Sequence, residues 1–116
     1  MLASMYAGKG GDLVAWSQAL TSDMVLSQPV IYEVGELRVP TLMLIGMKDT
    51  TAIGRDRTTP EVAKTLGNYA ALAARVAAQI KGSKLVTFPE LGHSPQVEDP
   101  SRFNAALVQS LGALLQ

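Results

Sequence analysis

One histidine occurs in the 116 residues, His93, and its surroundings limit what it can do. Leu85-Val86-Thr87-Phe88 is a run of β-formers that residues 89–92 break with a proline and a glycine. His93 therefore falls on a loop just past a strand's carboxyl end, the edge where open α/β sheets place their chemistry. Asp99 before Pro100 reads as an N-cap followed by a first-turn proline, so this loop is held between a strand and a helix start. A second polar loop, Met47-Lys48-Asp49-Thr50-Thr51, follows an apolar run closed by Gly46. If the two runs are neighbouring parallel strands, both loops leave the same sheet edge and Asp49 can meet His93. The carboxylate would fix the imidazole tautomer and stabilise the imidazolium, leaving the other ring nitrogen to take a proton from a nucleophile. Asp49 and His93 are thus the candidate catalytic residues, two-thirds of a hydrolytic triad.

The elements that must position them can be read outward from these loops. Thr41-Leu42-Met43-Leu44-Ile45, between Pro40 and Gly46, is continuously apolar and too short for a helix. It predicts a strand covered on both faces, as inside a parallel sheet. Thr59-Pro60 supplies a cap and first-turn proline, and Gly67-Asn68 interrupts the chain a few residues later. Tyr69, Leu72, Val76 and Ile80 then form a helical stripe that Gly82 stops. Strand, helical crossover and strand make the two strands parallel. A last helix from Pro100 should pack back on that sheet through Phe103, Leu107, Leu111 and Leu114. Towards the amino terminus, residues 1–11 read as a glycine-rich loop. Asp12 can cap a short helix with Leu13, Trp16 and Leu20 on one stripe, ending near residues 21–23, with Trp16 as its anchor. The conformation of residues 24–32, broken by Ser27, Gln28 and Pro29, stays open.

Composition narrows the function classes. Ten basic against ten acidic residues, with 47% hydrophobic and 17% charged, describe an ordinary globular domain without the footprint of a nucleic-acid or anionic-membrane partner. No cysteine means no disulfide framework and no thiolate zinc site, and the longest apolar run is far too short to span a bilayer. With no basic-then-apolar leader at the amino terminus, the expected location is cytoplasmic. One histidine without clustered carboxylates makes a poor metal site, and no cofactor is expected. Gly8-Lys9-Gly10-Gly11 lacks the Gly-Lys-Ser/Thr ending and preceding strand of a phosphate-binding loop, so it reads as a flexible loop. Tyr69 and Phe103, like Trp16, read as core anchors.

The segment Val39-Pro40-Thr41-Leu42-Met43-Leu44-Ile45-Gly46-Met47-Lys48-Asp49 resembles the strand-plus-acid segment of α/β-hydrolases, in which a Gly-x-x-Asp turn carries the catalytic acid. Leu91-Gly92-His93-Ser94-Pro95-Gln96-Val97-Glu98-Asp99-Pro100 is similar to that family's histidine loop leading into its last helix. The resemblance implies an α/β fold class: the C-terminal part of an α/β-hydrolase fold, with a short parallel strand pair flanked by helices. It covers residues 39–116 as the strand-helix-strand-helix part of the core, and residues 1–38 look like a remnant of the helical cap region. The family's nucleophile stands in a Gly-x-Ser-x-Gly turn after an earlier strand, with the oxyanion hole beside it. No such turn is present, so Asp49 and His93 carry over while the nucleophile and oxyanion hole do not.

The expectation is a carboxylic-ester-type hydrolase segment, truncated or one half of a split enzyme, and inactive alone. Its substrate, once completed by the missing half, would be a small ester-like molecule. Two other readings compete: a binding or interaction module that keeps hydrolase architecture without catalysis, and a remnant with no selected role. A lone loop histidine is commonly a surface residue and a lone loop aspartate a turn residue; their pairing on adjacent strands favours chemistry. In the family the 41–45 strand has a neighbour on each side, so its free edge predicts a homodimer or association with an N-terminal half.

Overall fold

The computed structural model of the protein describes residues 6–114. Packing divides the chain into two units, Met1–Tyr32 and Glu33–Gln116. The sequence suggests a division after residue 38; packing groups residues 33–38 with the second unit, where Gly35 lies against the Gln79 carbonyl.

In the first unit, α1 spans Gly11–Ser27 and a single 3-10 turn follows at Val30–Tyr32. The helix runs past the expected stop near residues 21–23. Its polar residues are accommodated inside it, because the hydroxyls of Thr21, Ser22 and Ser27 donate to the carbonyls of Ser17, Gln18 and Asp23 one turn earlier. Gly10, not Asp12, is the N-cap residue; Asp12 lies in the first turn, where its charge faces the positive end of the helix dipole. Trp16 does not act as an anchor. It is 65% exposed, and Leu13 and Leu20 on the same stripe are exposed as well, so no described residue of the first unit covers that face. Of the amino-terminal loop, residues 1–5 lie outside the described residues, and residues 6–10 are turns and bends.

The second unit builds the sheet. After a 3-10 turn at Val34–Glu36, β1 covers Leu42–Gly46. A 3-10 turn at Arg55–Arg57, the one-turn helix α2 at Pro60–Ala63 and α3 at Tyr69–Gln79 lead to β2 at Lys84–Phe88. The chain closes with α4 at Pro95–Glu98 and α5 at Pro100–Leu114. Thr59 caps α2 as the sequence predicts, and Asn68, which the sequence marks only as an interruption, caps α3. The Thr59 hydroxyl accepts from the Val62 amide at 3.4 Å, and the Asn68 side-chain oxygen from the Ala71 amide at 3.2 Å. The fold is α/β, with β1 and β2 forming a parallel pair in the register Leu42↔Lys84 to Gly46↔Phe88. The helices α3 and α5 each pack against both strands.

The core is small. Ala73 of α3, Ile80 just past its end, Phe88 of β2 and Leu91 are its buried apolar residues, and the Phe88 ring lies 5.9 Å from that of Phe103. Two expectations need correction. Residues 42–45 are half-buried rather than fully covered, and among the described residues β1 has a neighbouring strand on one edge alone. On α5 the covered face passes through Phe103, Leu107, Ser110 and Leu114, and Leu111 is exposed. At about 100° per residue, position 111 has drifted about 80° from position 103, whereas position 110 falls almost beneath it. The unforeseen α4 turn had a signal, Ser94-Pro95, the same cap-then-proline pattern that opens α2 and α5.

The ladder also fixes the free edge of β1. The Lys84 amide donates to the Thr41 carbonyl and the Met47 amide to the Phe88 carbonyl, so in a parallel ladder the odd-numbered residues of β1 face β2. The amides of Leu42, Leu44 and Gly46 point to the other edge.

Candidate active site

Asp49 and His93 leave the carboxyl ends of β1 and β2 and meet there. The two loops are first joined by their backbones. The Met47 amide donates to the Phe88 carbonyl at 3.0 Å, and the Lys48 amide to the Leu91 carbonyl at 2.9 Å. Gly46 makes this junction possible. A Cβ there would drive into the Gly92 carbonyl and come 2.7 Å from the Leu91 carbonyl oxygen, so the histidine loop rests directly on the glycine. Gly67 serves the acid loop in the same way: its φ is +70° and a Cβ would strike the Thr50 carbonyl.

Each oxygen of Asp49 has a partner. Oδ1 accepts from the Thr51 amide at 2.8 Å, closing a tight local turn, and Oδ2 lies 2.9 Å from His93 Nδ1. A carboxylate can only accept, so Nδ1 carries the proton and Nε2 of the neutral ring presents its lone pair. Asp49 is buried at 7% exposure, whereas the His93 side chain is 65% exposed. Burial pushes the Asp49 carboxyl up, but the hydrogen bonds from His93 and Thr51 outweigh it and hold the group below its ordinary value of 3.8. Tyr69, at the start of α3, feels the same charge: burial and then Asp49 push its hydroxyl up.

This arrangement can orient an imidazole and stabilise its protonated form. Among the described residues no side-chain hydroxyl hydrogen-bonds to His93, and no group of His, Cys, Asp and Glu could hold a metal ion. Three contributors escaped the sequence: Gly46 as the seat of the histidine loop, Thr51 as the second donor to Asp49, and Glu98, whose carboxylate accepts from the Gly92 and Ser94 amides. Only Glu98 left a signal, a carboxylate near the end of a one-turn helix beside the histidine.

The chain is similar to the crystal structure of a probable hydrolytic enzyme from Pseudomonas aeruginosa PAO1, at 52% identity over 92% of its own length and with a TM-score of 0.88. The architecture is that of part of a hydrolase-like α/β fold. The chain spans about a third of that enzyme, 34% of its length. No family model and no curated protein matches it. Among the described residues no helix is long and apolar enough to cross a membrane.

Proposed function

We propose that these residues supply the acid and the base of an α/β-hydrolase site acting on carboxylic-ester-type substrates, with Asp49 orienting His93 and His93 moving the proton. The observation that carries this reading is the 2.9 Å contact between Asp49 Oδ2 and His93 Nδ1 at the carboxyl ends of two adjacent parallel strands. The geometry supports these roles: Nε2 would take the proton of an attacking hydroxyl and return it to the leaving alcohol, while the buried carboxylate would stabilise the imidazolium between the two steps. The nucleophile and oxyanion donors would come from segments outside this sequence, as the 34% coverage of the similar enzyme also suggests. Residues 1–38 are read as belonging to a helical cap.

The free edge of β1 belongs to the same reading. The amides of Leu42 and Leu44 are available to a further strand, either of a second copy of this chain or of an N-terminal half that brings the nucleophile.

The test is a graft. In the similar enzyme, the stretch matched by this chain is replaced by the chain itself, and hydrolysis of an activated ester is measured. The graft should turn over, and His93→Ala should lower kcat/KM by roughly 10³-fold or more. The chain alone should be no faster than its own His93→Ala variant. A graft that folds and hydrolyses equally well with alanine at position 93 would overturn the assignment.

A further inference from the structure

His93 gains little from packing. Its side chain is 65% exposed, and its hydrogen bond is to Asp49. Something other than a close-fitting pocket must keep the ring aimed, and the backbone on either side of it shows what does. Glu98 ends the single turn of α4 and reaches back over that turn's start. Its Oε2 accepts from the Gly92 amide at 2.7 Å and its Oε1 from the Ser94 amide at 3.1 Å. These two amides bracket His93 in the chain, and each has its own carboxylate oxygen. Charge-assisted bonds of this kind are shorter and stronger than neutral ones.

The same segment is gripped from its other side. The Gly92 carbonyl rests on Gly46, so this backbone is fixed between the end of β1 and the Glu98 carboxylate. Gly92 leaves room for the carboxylate, because a Cβ there would stand 3.1 Å from Glu98 Oε1. We infer that Glu98 is a positioning residue that holds the His93 backbone so that Nδ1 stays on Asp49 and Nε2 stays open. The inference rests on the reading of His93 as the base. The Arg102–Glu90 pair, 2.7 Å apart, ties down the same loop nearer β2 and touches neither bracketing amide. It provides an internal control.

The experiment is long-range nitrogen–proton NMR on the full chain labelled at histidine, at a pH where the ring is neutral. The wild-type chain should show one tautomer, with the proton on Nδ1. Glu98→Ala should lose that single pattern and show both tautomers, while the backbone amide signals of β1, β2 and α5 stay in place. Glu98→Gln, which keeps one acceptor oxygen, should recover much of it, and Glu90→Gln should not change it. Should Glu98→Ala unfold, Glu98→Asp addresses the same contact by shortening the side chain so that its carboxylate no longer reaches both amides, and it should also yield both tautomers. A single Nδ1–H tautomer in folded Glu98→Ala, or in Glu98→Asp where that variant stands in for it, would overturn the inference and leave the base reading intact. Both tautomers in the wild-type chain would contradict the base reading itself and the role of Glu98 with it.

Discussion

Asp49 is the residue on which electrostatics and folding meet. Its carboxyl is held below 3.8 despite burial, because His93 and Thr51 donate to it. A folded-state value lower than the unfolded one adds stability that is fully present above the unfolded value and is lost as pH falls through the folded one. Asp49→Asn should therefore cost about 1–2 kcal/mol near neutral pH, at the low end because His93 is open to solvent. The gap to wild type should close as the pH drops below 3.8. Urea unfolding of both proteins across that range checks this, and a gap that stays constant into acid would contradict it. Both members of the pair were legible in the sequence, since a solitary histidine and a Gly-x-x-Asp turn, each after an apolar run, leave few alternatives. Thr51 and Glu98 were not, because one contributes a backbone amide and the other acts across a short turn that no apolar stripe marks.

Among the elements, the strand pair and the helices around it were legible because local signals agreed: short apolar runs, cap-then-proline pairs at Thr59-Pro60 and Asp99-Pro100, and a stripe from Tyr69 to Ile80. What failed depended on which surfaces meet. Trp16 looks like an anchor in any amphipathic pattern, yet pattern alone cannot say whether a covering surface is present. Leu111 misleads because an eight-residue step from Phe103 drifts off the covered face. Gly46 shows the same limit: its role comes from the backbone of another loop, which no local pattern encodes. Gly46→Ala should force that loop away and cost about 1–3 kcal/mol, as overpacking does. It should also lengthen the Asp49–His93 contact. Denaturant unfolding measures the first effect and histidine tautomer signals the second; a variant with wild-type stability and one tautomer would show that the close approach is dispensable.

At the scale of the molecule, a two-stranded sheet with half-buried strands and exposed Leu13, Trp16 and Leu20 buries little apolar surface. A further strand on the Leu42 and Leu44 edge would remedy this. Light scattering of the chain alone should show a dimer, and Leu44→Pro, which removes an outward-facing amide, should weaken it. Met43→Pro removes an amide facing β2 and should mainly unfold the chain. A monomer at all concentrations, with the Leu42 and Leu44 amides protected from exchange, would count against that edge. The central claim is that Asp49 and His93 form one acid–base unit, and a double-mutant cycle on the grafted enzyme tests it most directly. Groups that act as a unit give strongly non-additive losses. Asp49→Asn combined with His93→Ala should be no slower in ester hydrolysis than His93→Ala alone; losses that multiply would contradict the account.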